Sequence, residues 1–196
     1  MTGMAAQLHD GAVRTRRLVA CSLLVFSARA AASIAVALPV EDLASRADAV
    51  VVGRIVAQEA RWNDTHRRIF TRVSVAIDAR WLWRPAAGPG DETIVVVRPG
   101  GERDGFGQEV FGEPTFTTGE RAVLFLVRRG AIFRVVGMAQ GVFHLDAGGR
   151  AVQDLSGLAL VRSQAGTRIV GAHGAGGEPP LRLPDLERRV ARGAAR

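Results

Sequence analysis

The sequence predicts an all-β domain, a barrel or sandwich of five to seven short strands with a short helix before it and a C-terminal helix after it. Three observations lead there. Residues 73–81 alternate, with Val73, Val75, Ile77, Ala79 and Trp81 on one face and Arg72, Ser74, Ala76, Asp78 and Arg80 on the other, the period of a half-buried strand. Short apolar runs recur at 49–57, 93–98, 119–128 and 132–136, bounded by Gly, Pro, Asn or Asp. Helical spacing is confined to the two ends. At 196 residues, 47% hydrophobic and 23% charged, the chain has the size and apolar content of one domain with terminal extras.

Residues 1–37 form a signal peptide and spacer. Arg14, Arg16 and Arg17 precede the apolar run 18–26, and small residues follow at Ala28-Arg-Ala30 and Ala35-Val-Ala37, the layout of a secretory signal cut within 30–37. The apolar run is too short for a permanent span. Export to the periplasm or beyond follows as an expectation. The single cysteine, Cys21, falls inside this signal, so the mature chain has no disulfide and no thiolate nucleophile or metal ligand.

The β domain is expected over 38–170. Residues 38–48 open it as an amphipathic helix, with Pro39 and two acids at the start and Val40, Leu43, Ala44 and Ala47 on one face. The run 49–57 is β-branched and continuous, as in a strand covered on both faces, and Gly53 marks a bulge or close approach. A polar turn at 63–67 leads into the alternating strand, which Pro85 to Gly90 closes. Strands at 93–98, 119–128 and 132–136 follow, then a hairpin of 142–145 with 151–153 across Asp146 to Gly149. Residues 171–180, rich in Gly and Pro, are a flexible linker. Beyond them, 181–196 form a basic helix with only Leu186 and Val190 at i, i+4, which predicts weak docking.

Charge argues against nucleic acid. The chain carries 26 basic and 19 acidic residues, but 1–37 hold four Arg against one acid and 181–196 hold five against two. The middle keeps 17 Arg against 16 acids and is nearly neutral, whereas a nucleic-acid groove needs a basic patch on the body.

The most glycine-dense stretch between strands is 98–112, "RPGGERDGFGQEVFG". It is not a phosphate cradle. A P-loop needs Lys and Ser/Thr directly after its second glycine, where Phe106-Gly107 stand, and a dinucleotide fingerprint needs a glycine at Val110. Glu102, Asp104 and Glu109 would also repel phosphate. The stretch is instead a long loop that uses glycine for positive φ, and as a binding loop it would present Phe106 and Phe111 to a partner.

No catalytic or metal constellation stands out. His66, His144 and His173 lack zinc-site spacing, and no cofactor motif is present. Asp64 and His66 share a hairpin tip, and Asp104 and Glu109 share a loop. They supply the alternative reading, a secreted hydrolase using loop carboxylates and His66. Among large aromatics, Trp62, Trp81 and Trp83 are the remaining partner-binding candidates, with Trp81 and Trp83 on one strand face.

Residues 47–57 with their "VVGRI" segment, the alternating strand ending at Trp81, 116–126 with "GERAVLFL", and 136–143 resemble a family of small exported bacterial proteins of unassigned role. The strand order of that family is similar to the netrin-like OB barrel of tissue inhibitors of metalloproteinases. The resemblance covers about residues 38–145 and implies an OB-like barrel. Those inhibitors reach a protease zinc through an N-terminal cysteine, which the mature chain lacks, so that mechanism is not carried over. An OB barrel also commonly holds a helix between its third and fourth strands, where the glycine stretch stands instead. The function expected is an exported, noncatalytic, monomeric module, binding a protein or envelope component as inhibitor or partner, with no nucleic acid and no membrane span in the mature chain.

Overall fold

The computed structural model describes residues 33–164, 166–170 and 177–196. Residues 1–32 of the expected signal and spacer, including Cys21, and residues 171–176 of the expected linker, including His173, lie outside the described residues. The fold is mostly β with one helix near each end. Among the described residues no helix is long and apolar enough to cross a membrane.

The first described element is β1 (Ser33–Val36), inside the stretch expected to be spacer. Helix α1 (Val40–Arg46) follows as predicted, with Glu41 and Asp42 in its first turn and Arg46 in its last, each sign complementing the helix dipole. It buries Val40, Leu43 and Ala44. Strands β2 (Ala49–Trp62) and β3 (Ile69–Trp83) then form a long antiparallel hairpin across the predicted polar turn. Gly53 is where the backbones approach most closely, since a Cβ there would lie 2.7 Å from the Ala76 carbonyl oxygen.

Strand β4 (Thr93–Pro99) pairs with β3. The glycine stretch is not one loop but a separate two-stranded hairpin, β5 (Gly101–Arg103) with β6 (Phe106–Gln108). Then come β7 (Arg121–Arg129), β8 (Ile132–Val135), β9 (Val142–Leu145) and β10 (Arg150–Val152). A hairpin that the sequence did not announce follows, β11 (Leu158–Gln164) with β12 (Gly166–Val170). The chain ends with β13 (Leu181–Arg182) and α2 (Leu183–Ala194).

The main sheet runs β13-β10-β9-β7-β2-β3-β4-β8, and β8 pairs with β7 as well as, in parallel, with β4. The pairings of β7, β2, β3, β4 and β8 therefore return to their starting strand. A second sheet has β1 parallel to β11, with β12 on the other side.

Two cores use the two faces of the same strands. Ala49, Val51 and Ile55 of β2 join Val73, Val75, Ile94, Val96, Leu124, Leu126 and Phe133. Val50 and Val52 turn the other way, to Val123, Phe125, Phe143 and the helix residues Leu43, Leu186 and Val190. That is why β2 and the centre of β7 read as unbroken apolar runs.

Two expectations are corrected. The alternation of β3 holds from Ile69 to Val75 but not to its end, because register shifts against β2 fall between Val52 and Gly53 and between Val50 and Val51, the latter passing over Trp81. Ala79 is consequently exposed. Trp83 packs on the inner core while Trp81 packs on the helix-side core, so the two do not share a face. The second correction concerns α2. Leu186 and Val190 are fully buried, and the helix backbone at Gly193 meets α1 so closely that a Cβ would lie 2.4 Å from the Glu41 carbonyl oxygen. The weak-docking expectation counted apolar positions and missed Arg189, which holds Glu41 of α1 at 2.8 Å and Glu178 at 2.6 Å.

Candidate functional site

The glycine stretch and the β2–β3 turn meet at one end of the molecule. Gly100 and Gly101, with φ of 89° and 137°, redirect the chain after β4. The bend lays β5 against the β2–β3 hairpin so closely that a Cβ on Gly101 would lie 2.4 Å from Thr71 Oγ1. The buried Thr71 hydroxyl donates to the Gly100 carbonyl at 2.7 Å, and the Ile69 N–H donates to Gln108 Oε1 at 2.9 Å. These bonds fix the base of the β5–β6 hairpin to the end of β3.

Its tip is a two-residue turn, Asp104-Gly105, with φ of 54° and 78°. Positive φ at both central positions is the type I′ geometry that matches strand twist, and Asp-Gly is among its preferred pairs. The Asp104 carboxylate also accepts the Trp62 indole N–H at 2.9 Å. Phe106 stands edge-to-face with Trp62 at 5.9 Å, and His66 stacks on the indole at 6.4 Å. Phe106 is 64% exposed, and the space around Gly105 and Gly107 is open.

The neighbouring turn owes its form to Asn63, whose Oδ1 accepts the N–H groups of Arg67 and Arg68 at 2.9 and 3.0 Å. His66 sits in the left-handed region at φ 50°. Arg61 pairs with Glu59 at 2.8 Å and Arg103 with Asp104 at 3.3 Å, on strands next to the aromatic group. An exposed aromatic group with charged neighbours suits contact with another macromolecule.

The structure thus brings together Trp62 and Phe106 of the partner-binding candidates with His66 and Asp104, which the sequence offered for the alternative hydrolase. Phe111 is 38% exposed and stands apart, past the hairpin base. Trp83 is half-buried against Phe133 at 5.9 Å and donates its indole N–H to the Gly88 carbonyl at 2.8 Å. Trp81 is half-buried against the helix-side core. Among the described residues no hydrogen bond joins Asp64 to His66, and Asp104 at the tip is separated from Glu109 by β6. The Trp62–Asp104 bond had no signal in the sequence, but Asp-Gly between short strand-like pieces was a readable turn signal.

A second group lies on β9. The His144 ring nitrogen Nδ1 stands 3.4 Å from Glu120 Oε2, and both face a shallow hollow that also contains Thr115, Thr117 and Asp154. His144 is largely covered, and its ring stands 6.4 Å from that of Phe116. Among the described residues no cluster of three or more His, Cys, Asp or Glu could hold a metal ion. No family model matches the sequence, and no curated protein matches it.

Proposed function

We propose that this chain is an exported, noncatalytic binding module that engages a protein partner of the cell envelope through its hairpin tips, acting as an inhibitor or a docking partner. One observation carries the reading: Phe106 is 64% exposed yet held by Trp62 at 5.9 Å on a turn that Asp104 pins, so a large apolar contact is presented with little conformational freedom left to lose on binding. The module is an OB-like barrel in this proposal, supported by the return of the pairings from β7 through β2, β3, β4 and β8 to β7.

Export is supported by the signal pattern. A cut ahead of Ser33 is supported by the bonding of the segment that follows, since Ser33 N–H donates to the Gly157 carbonyl at 3.1 Å and Ala37 N–H to the Val161 carbonyl at 2.9 Å. Gln140 brackets the same segment, accepting from Leu38 N–H at 2.8 Å and donating to the Val36 carbonyl at 3.1 Å. A cut after Ala37 would remove a strand, so we place it before Ser33.

The test is capture from envelope extract by the immobilised protein, followed by affinity measurement with the protein recovered. Phe106→Ala weakens that affinity by about 1–3 kcal/mol and leaves the unfolding midpoint unchanged. Gly107→Ala, a change into open space on the same strand, leaves both unchanged. Equal capture by wild type and Phe106→Ala overturns the reading.

A further inference from the structure

A second concave feature lies at the opposite end of the β5–β6 hairpin from the aromatic tip. It is a cavity of about 250 Å³ between the end of β4, the segment 109–115 and the turn 153–157. That is smaller than most sites for drug-sized molecules, so its occupant is small. Its inner wall carries Arg98 and Glu113, both half-buried, and its rim carries Glu109, Asp154 and Ser156.

The guanidinium is in an unusual position. Arg98 Nε is buried with no hydrogen-bond partner among the described residues, and a terminal nitrogen makes a long 3.4 Å contact to the adjacent Pro99 carbonyl. Among the described residues it forms no ion pair, although Glu113 lines the same cavity. Burial pushes the Glu113 carboxyl up and the Arg98 guanidinium down, while Arg98 and Arg134 act on Glu113 in the opposite sense. The two charges feel one another across a gap they do not close. Burying a planar cation without a partner costs stability, which an incoming acceptor would recover.

The walls are firm. A Cβ on Gly157 would lie 2.9 Å from the Gly112 nitrogen, and Ala139 N–H donates to the Gly112 carbonyl at 2.9 Å. On the rim, the Ser156 N–H donates to Asp154 at 3.0 Å and holds its carboxyl below the usual range, so Asp154 is an anion at neutral pH.

The charges select the ligand. Three carboxylates around one guanidinium disfavour phosphate or another plain anion. A plain cation would leave Arg98 unpaired. We propose that this cavity binds a small zwitterion of amino-acid type, its carboxylate on the terminal nitrogens of Arg98 and its ammonium between Glu113 and Asp154. A carboxylate matches the guanidinium fork, and both buried charges are paired at once.

This site is independent of the reading of the hairpin tips, and the two experiments fail separately. Calorimetric titration of the whole protein with L-alanine, L-serine and L-glutamate is set against acetate, methylammonium and inorganic phosphate. Saturable binding of at least one amino acid is expected, with acetate and methylammonium about tenfold weaker or more, because each satisfies one end. Arg98→Met removes binding while the midpoint of unfolding stays level or rises, since an unpaired buried charge is gone. Asp154→Asn, on the exposed rim, weakens amino-acid binding and leaves acetate binding level or tighter, since one repelling carboxylate is gone. Absence of binding by every amino acid tested, acetate or phosphate binding as tight as the amino acids, or unchanged binding by Asp154→Asn overturns the proposal.

Discussion

Single side chains in this protein act through positions that differ by one residue along a strand. Val75 is fully buried between β2 and β4, while Ser74 on the opposite face of β3 is half-buried. Val75→Asp would place an ionised carboxylate in the inner core without a partner, at a cost of about 3 kcal/mol or more, whereas Ser74→Asp should stay within about 1 kcal/mol. Urea unfolding of the two variants measures this directly, and equal losses would contradict the facing of β3. Asp104 shows how one residue serves two needs, since its short polar side chain tolerates positive φ and its carboxylate also takes the Trp62 indole. The facing of Val75 was legible from local alternation. The Trp62–Asp104 contact was not, because 42 residues separate the pair and nothing in either neighbourhood encodes the meeting.

At the scale of elements, the joint between the two helices governs the acid response. The Arg189 hydrogen bonds to Glu41 hold its carboxyl at about 2, with a smaller contribution from Arg192. A carboxylate depressed in the folded state contributes stability that is complete above its unfolded value near 4.5 and lost as pH falls towards about 2. The side chain is largely shielded from water, so the loss is about 2 kcal/mol over that window. Glu41→Gln should remove most of this pH dependence, and unfolding free energies measured between pH 2 and 5 check it; an unchanged slope would show that the pair does not anchor α2. The sequence made α2 a helix through Pro184, Asp185 and the i, i+4 apolar pair. It did not show the anchor, because Glu41 and Arg189 stand 148 residues apart.

The whole molecule is layered, with α1 and α2 on one face of β2 and β7 and the inner core on the other. The second sheet ties the start of the body to β11, and Ala35 and Ala37 pack against Leu155, Leu158 and Leu160. Under the proposed export, N-terminal sequencing of the processed protein should therefore read Ala31 or Ser33. A version beginning at Leu38 should melt about 5 °C lower or more than one beginning at Ala31, since it lacks β1 and uncovers that cluster. A mature terminus at Leu38, or equal melting of the two versions, would remove β1 from the working fold.

The sequence by itself determined the class of fold, the order of most strands, the two helical ends and the polar turn at 63–67, because these follow from apolar spacing and turn chemistry within a few residues. It also carried the exposed Phe106, since an aromatic among glycines and acids has no local neighbours to bury it. Only the tertiary structure decided that Trp81 and Trp83 face opposite cores, that the glycine stretch folds back onto the end of the β2–β3 hairpin, and that Arg98 and Glu113 line one cavity. Those outcomes depend on strand register and on which distant segments meet. Each bulge, invisible to local periodicity, switches the facing of the side chains after it until the next one restores it.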